Sequence, residues 1–279
     1  MPDVPATGLA EPSTGAGTAD LDSTPEIAAS TVRALDATIG TAAPWPGTQV
    51  DTSRGGQTTA PPCAACLGAG DRPPLHDAVP LATQFLSREL IPAIVDDDAD
   101  PALDPRWAES GARDRAEYAY WAPRTCGIAC LQMVLGHYGL PVPPLVTLAR
   151  QALAAGCYEP RPDGGLDGLL YHPFVDFVAA RFGLRAQAEA ELDLSRLTEL
   201  TGTGALVIVS VNSAIRHPEQ DPPQRGGHLV LVTGIDGDQL HLRDPAGHNP
   251  TARAAVLDWP EFEPFSAGRG VAVWAPLTS

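Results

Sequence analysis

The chain has 279 residues, a formal net charge of −16 and an apolar fraction of 44%. That apolar content is enough to build the core of one large or two small domains. The acidic balance argues against nucleic acid or an anionic membrane surface as a partner.

The location of the protein is constrained by what the sequence lacks. No apolar run approaches the ~20 residues that a membrane-spanning helix requires. The N-terminus lacks the basic region and apolar stretch of a signal peptide. Five cysteines at irregular spacing fit a reducing compartment better than a secreted disulfide scaffold. We therefore expect a soluble protein in the cytoplasm.

The N-terminal part differs in composition from the rest of the chain. Residues 1–78 are rich in Ala, Pro, Thr and Gly and poor in large apolar side chains, so they bury too little surface to offset the entropy of ordering. We predict a largely disordered tail over 1–78 and one folded domain over 79–279. Within the tail, Cys63 and Cys66 have the spacing of half a zinc site or of a redox dithiol. No second pair of this kind follows, so the sequence does not favour a metal role.

Helices are predicted in the first half of the folded domain. A short helix is expected from about Ser87, and residues 109–121 are expected to form a loop or partial helix. Apolar residues at helical spacing, each followed by a glycine, predict three longer helices. The first begins at Cys126, and the others end at Gly156 and Gly183.

After Gly183 the apolar pattern changes to that of strands. Alternating or continuous apolar runs predict strands, with a short helix near Leu194 and another turn of helix in 260–265. The predicted strands are 184–190, 205–212, 228–236, 239–245, 252–259 and 268–274. Helices followed by antiparallel strands indicate an α+β domain.

Cys126 is the residue best placed for chemistry. It follows Thr125, a helix-start residue, and falls in the first turn of its helix. The unpaired N–H groups and the positive dipole end of a helix favour a thiolate over a thiol. A nucleophilic cysteine also needs a base, a group that orients the base, and donors for the developing oxyanion.

The predicted hairpin supplies a base and an orienting group. His228 begins one strand directly after Gly226 and Gly227, and Asp244 follows the next strand. Pairing of the two strands through the turn at Gly237 brings their far ends together. We therefore expect His228 and Asp244 to lie side by side, next to a gap left by the glycines.

Three segments together resemble a known family. TCGIACLQMVLGHYG, GGHLVLVTGID and LRDPAG are similar to the signature blocks of papain-like cysteine peptidases related to the bacteriocin leader (double-glycine) peptidases. The resemblance covers about 79–274. It implies a papain-like fold with a helical part packed on an antiparallel sheet, hydrolysis of a peptide or protein substrate through an acyl-enzyme, and no metal or cofactor. By resemblance Cys126 is the nucleophile, His228 the general base and acid, and Asp244 the residue that orients the imidazole.

The expected oxyanion donor is displaced in this sequence. The family usually carries a Gln a few residues before the nucleophile, but here aromatic residues occupy that place. The phrase VPLATQ places Gln84 about forty residues upstream. An insertion over 85–125 that leaves Gln84 at the site would make it the donor, and otherwise backbone N–H groups alone would serve.

Other interpretations remain open at this point. Cys126 could be a small buried residue, His228 an ordinary strand end and Asp244 a turn former. The same site could serve an acyl or peptidyl transferase, and without a Gln close to Cys126 it could be a catalytically weak peptide-binding module whose cleft the insertion covers. Among the remaining histidines, only His248 lies where it could reach the cleft.

Overall fold

The computed structural model describes residues 79–276, in which the helices largely precede the sheet. The predicted tail at 1–78, with Cys63 and Cys66, lies outside the described residues. The α-helices are α1 Ile91–Asp96, α2 Arg115–Trp121, α3 Cys126–His137, α4 Leu145–Ala154, α5 Tyr171–Phe182, α6 Leu194–Gly202, α7 Pro250–Arg253 and α8 Trp259–Phe262. Short 3-10 helices lie at Arg88–Leu90, Pro101–Leu103, Trp107–Ser110, Ala122–Arg124 and Ser213–Arg216.

The strands form one antiparallel sheet, as the α+β prediction requires. They are β1 Leu184–Glu189, β2 Leu206–Val211, β3 His228–Asp236, β4 Gln239–Arg243, β5 Val256–Asp258 and β6 Ser266–Pro276. Their order across the sheet is β1-β6-β2-β3-β4-β5. Within residues 79–276, no helix combines the length and the apolar character needed to cross a membrane.

Both faces of the central strands are buried, which explains the continuous apolar run in β2. Ile208 and Leu231 belong to the core shared with α3, whereas Val207 and Val232 belong to the core under α6 and α8. A strand that is covered on both faces has no solvent side for polar residues to alternate onto. All six residues of β2 are therefore buried.

Segment 85–125, interpreted above as an insertion, folds around buried carboxylates. The Asp104 carboxylate accepts hydrogen bonds from the Ser87 N–H and hydroxyl and from the Tyr118 hydroxyl. Asp114 caps α2 by accepting from the Glu117 N–H, so a regular helix forms where only a loop or partial helix was predicted. Glu117 in turn pairs with Arg150 of α4 at 3.0 Å. These contacts fasten the insertion to the helical half.

The hairpin of β3 and β4 has the predicted pairing. Asp236 lies opposite Gln239, and the loop between them is Gly237 and Asp238. Gly237 has φ of 67°, a left-handed conformation that glycine adopts without steric cost. The register shifts between Val232 and Gly234, where a bulge interrupts the ladder. The far ends of both strands nevertheless meet, and they carry His228 and Asp244.

Candidate active site

Cys126 is the first residue of α3, as predicted. The 3-10 helix Ala122–Arg124 leads directly into α3, and the Thr125 hydroxyl donates to the Ala122 carbonyl at 3.0 Å rather than capping the helix. The first N–H groups of α3 therefore have no side-chain cap from Thr125. The half-buried Cys126 thiol is hydrogen-bonded with His228 and with the backbone N–H groups of Gly127 and Leu229.

His228 and Asp244 lie in direct contact, as the hairpin argument predicted. The Nε2 atom of His228 is 2.7 Å from Oδ1 of Asp244, and both side chains are buried. The same oxygen accepts the Ala246 N–H at 2.8 Å, which fixes the carboxylate. Because Nε2 is engaged by Asp244, the imidazole is left with Nδ1 for the Cys126 thiol.

Neighbouring charges shift the pKa values of Cys126, His228 and Asp244. Burial raises the pKa of Cys126, but the hydrogen bond and positive charge of His228 outweigh it and hold the pKa below its ordinary value. Burial lowers the pKa of His228, and the Asp244 charge opposes this and raises it to about 9. Burial raises the pKa of Asp244, yet the His228 charge holds it below its usual range. The arrangement therefore favours a thiolate-imidazolium pair at neutral pH.

The other described thiols differ from Cys126. Cys130 lies one turn further along α3, and its Sγ contacts the Leu229 carbonyl at 3.7 Å. Burial raises the pKa of Cys130 well above its ordinary value and that of Cys157 to about 12. Within residues 79–276, these two cysteines and Cys126 are all free thiols. Only Cys126 among them is close to an imidazole that can activate it.

Gln84 returns to the neighbourhood of Cys126 despite its distance along the chain. Its backbone N–H donates to the Pro245 carbonyl at 3.0 Å, and its side-chain Nε2 donates to the Ala122 carbonyl at 3.1 Å. It therefore lies between the turn after Asp244 and the 3-10 helix before Cys126. Gln84 as a whole residue is 4% exposed, and it does not line the cleft.

A cleft of about 640 Å³ opens at Cys126, between the helical half and the sheet. Gly227 lines it, and a Cβ on Gly227 would meet no atom within 4 Å, so the predicted gap is present there. A Cβ on Gly226, in contrast, would lie 3.2 Å from the side chains of Ala267 and Ser210. Of insertion 85–125, only Pro123 and Arg124 belong to the lining, so the insertion borders the cleft rather than covering it.

One wall of the cleft was not predicted from the sequence. Residues 166–171, which run from the loop after α4 into the first residue of α5, line it together with Tyr158. The Tyr120 hydroxyl donates to the Gly164 carbonyl at 3.1 Å and holds this loop against α2. Leu169 and Leu229 pack so closely on Gly127 that a Cβ there would lie 2.7 and 2.8 Å from their side chains. A side chain after Cys126 would therefore require the ends of these two leucines to move.

His248 does not line the cleft, although its position in sequence made that possible. Its ring stacks on that of His217 with centroids 4.5 Å apart. The two histidines and Asp96 form a separate cluster of side chains with metal-ligand chemistry.

Comparisons with solved structures give distant similarities. The peptidase domain of Streptococcus ComA, a bifunctional ABC transporter involved in quorum sensing, is 20% identical, with 55% of this chain and 92% of that chain covered and a TM-score of 0.38. A double glycine motif protease from an AMS/PCAT transporter, solved in complex with its leader peptide, is 20% identical over 53% and 82%, with a TM-score of 0.35. A C39-like peptidase from Bacillus anthracis is 15% identical over 54% and 88%, with a TM-score of 0.40.

Among curated proteins, none matches the chain. The model of the Peptidase_C39 like family, in contrast, matches residues 113–268, which is more than half of the sequence and includes Cys126, His228 and Asp244. The chain belongs to the Peptidase_C39 like family.

Proposed function

We propose that the chain is a cysteine peptidase that hydrolyses a peptide bond with Cys126 as nucleophile, His228 as general base and acid, and Asp244 as the residue that orients the imidazole. The observation that carries the proposal is the continuous hydrogen-bonded chain from the Cys126 thiol through the His228 ring to the Asp244 carboxylate. Membership of a peptidase family supports the same reaction. The proposed catalytic domain comprises residues 79–279, with 1–78 as a separate tail.

The chemistry proceeds in two halves. The Cys126 thiolate attacks the carbonyl carbon of the scissile bond, and the C–N bond breaks as His228 gives its proton to the leaving amine. Water then attacks the thioester while His228 takes a proton from it, and the free acid leaves as the thiolate is restored. Products with free acid and amine ends support hydrolysis, whereas transfer of the acyl group to an added amine would indicate a transferase.

The proposed substrate is a peptide in extended form, such as a leader segment. The cleft is open to solvent, and the helix and sheet walls flank Cys126 on two sides. Close packing of Leu169 and Leu229 on Gly127 crowds the floor next to the nucleophile. We expect small substrate residues to be favoured next to the scissile bond for this reason.

We propose Gln84 as an oxyanion donor beside the N–H groups at the start of α3. A primary amide has two N–H bonds, and the contact with Ala122 uses one of them. A Gln84→Ala variant should lose about 10²–10³ in kcat, the usual cost of one oxyanion donor. Steady-state kinetics on a cleaved peptide measures this loss.

The control for Gln84 is the alkylation rate of Cys126. An oxyanion donor acts on the substrate, so its removal should leave thiol reactivity within about twofold of the original. If alkylation falls together with kcat, Gln84 acts by supporting the structure around Ala122 and not as a donor.

A direct test of the proposed function is the pH dependence of Cys126 alkylation by iodoacetamide, followed by peptide mass spectrometry. Because His228 holds the pKa of Cys126 below its ordinary value, the rate should reach its midpoint below the ~8.5 of a free thiol. Replacing His228 with alanine should move the midpoint upward, since the charge and hydrogen bond that lower it are removed.

The matched control is His172→Ala, because His172 is an exposed histidine at the start of α5. That variant should keep the original midpoint. An ordinary midpoint in the unmodified protein, unchanged in His228→Ala, would favour a peptide-binding module over the enzyme.

A further inference from the structure

Three side chains from distant parts of the sequence converge outside the catalytic cleft. Asp96 ends α1, His217 follows the 3-10 helix Ser213–Arg216, and His248 lies in the loop between β4 and α7. Each offers one ligand atom, and these atoms all lie within 4.8 Å of one another. We propose that Asp96, His217 and His248 form a binding site for a divalent transition-metal ion of the zinc type.

The spacing of the first two ligands fits such an ion. The His217 Nε2 atom lies 3.4 Å from Oδ1 of Asp96. Two ligands held about 2.0–2.1 Å from a tetrahedral zinc ion are about 3.4 Å apart. The pair therefore already has the separation that the metal requires. The His248 ring must turn out of its stack on His217 to complete a three-ligand set.

The contact with Asn249 sets which nitrogen of His248 can bind an ion. Its Nε2 lies 2.8 Å from the Asn249 amide nitrogen, and the orientation of that amide is fixed because its oxygen accepts the Ala252 N–H at 2.8 Å. The Nδ1 atom of His248 is buried and has no hydrogen-bond partner among residues 79–276. Because Nε2 accepts the Asn249 N–H, the neutral ring carries its proton on Nδ1, and His248 binds the ion through Nε2 once the ring turns away from Asn249.

The chemistry of the donors selects the class of ion. Two imidazoles and one carboxylate suit zinc and similar transition metals, whereas Mg²⁺ and Ca²⁺ prefer sets of oxygen ligands. The side chains of Asp96 and His217 are about one-third exposed, so an ion has access from solvent. Glu219, 3.9 Å from His217 Nδ1, adds negative charge beside the cluster.

The position of the cluster gives the ion a structural role. Asp96 belongs to insertion 85–125, whereas His217 and His248 belong to loops of the sheet half. His248 also lies shortly after Asp244 in the same connection. A bound ion would fasten the insertion to the loop that carries Asp244, and its binding should therefore raise the thermal unfolding midpoint.

The test must exclude the other groups that bind zinc. We use the full chain with Cys63, Cys66 and Cys126 replaced by serine, and titrate it with Zn²⁺ by calorimetry. We expect about one ion bound per chain and a raised unfolding midpoint. His217→Ala and His248→Ala in this background should each weaken Zn²⁺ binding by more than the ~10–100-fold that loss of a supporting residue costs. The control His172→Ala should leave the affinity unchanged.

Further measurements keep the test decisive if a histidine variant fails to fold. Asp96→Asn changes an exposed residue and should weaken Zn²⁺ binding by about tenfold or more. Absence of Zn²⁺ binding in the serine background would overturn the proposal, and so would an affinity that Asp96→Asn leaves unchanged. Mg²⁺ that binds as tightly as Zn²⁺ would overturn the assignment of the ion class.

Discussion

Cys126→Ala should lower peptide cleavage by about 10⁴-fold or more, because no other group in the site can form the acyl-enzyme. Within residues 79–276 the two other thiols, Cys130 and Cys157, have raised pKa values and no contact with His228. Water attack assisted by His228 and the oxyanion donors is all that would remain. The effect should appear in kcat, since the thiol contributes little to binding of the uncleaved peptide.

The measurement begins without a known substrate. The full chain is incubated with a proteome-derived peptide library, and new termini are identified by mass spectrometry. A cleaved peptide is then synthesised for kinetics. Cys130→Ala is the matched control, because it removes a thiol one turn away on α3, and we expect it to retain activity within about tenfold. Cleavage by Cys126→Ala at more than about one hundredth of the original rate would contradict the proposed mechanism.

Asp244→Asn should lower kcat/KM by about 10²–10⁴ while leaving the fold intact. The substitution keeps the shape of the side chain but removes the charge that stabilises the His228 imidazolium. Burial would then lower the pKa of His228 against the opposing effect of Cys126 only, so the imidazole would be protonated less often beside the Cys126 thiolate. Fewer molecules would carry the reactive thiolate-imidazolium pair at neutral pH.

The pH profile separates this effect from simple loss of structure. The original protein needs a protonated His228 that can donate a proton to the leaving amine. Activity should therefore fall as pH rises through about 9. Since Asp244 raises that pKa, Asp244→Asn should move the alkaline fall to lower pH. A profile of unchanged shape, reduced only in height, would contradict the role of Asp244.

The same hairpin provides a matched control. Asp236 lies at the other end of β3 and contacts His241 at 3.2 Å, but its side chain is 70% exposed. An exposed charge of this kind is screened by solvent and interacts weakly. Asp236→Asn should therefore change kcat/KM by no more than about twofold and leave the pH profile in place.

The elements that carry Cys126, His228 and Asp244 could be predicted because each depends on local sequence. The glycines after α4 and α5 end those helices, and the Gly237 turn sets the pairing of β3 with β4. The contact of His228 with Asp244 follows from that pairing. A helix start at Cys126 was also predictable, although Thr125 makes no cap hydrogen bond.

Features assembled from distant segments could not be predicted in the same way. Gln84 comes close to Cys126 because of the way insertion 85–125 folds around Asp104 and Glu117. The buried contacts of these two carboxylates leave no periodic pattern in the sequence. The cleft wall at 166–171 depends on the contact of Tyr120 with Gly164. The cluster of Asp96, His217 and His248 joins positions more than 120 residues apart, as His217 pairs with Asp96 across a separation of 121.

The sequence by itself determined the α+β order, the helix start at Cys126 and the contact of His228 with Asp244, because backbone periodicity and a tight turn fix these over short distances. The tertiary structure alone decided which groups surround them. Packing brought Gln84 between Ala122 and Pro245, placed Leu169 against Gly127 and moved His248 away from the cleft onto His217. Such contacts arise from burial and side-chain fit across the whole core, and no short stretch of the chain encodes them.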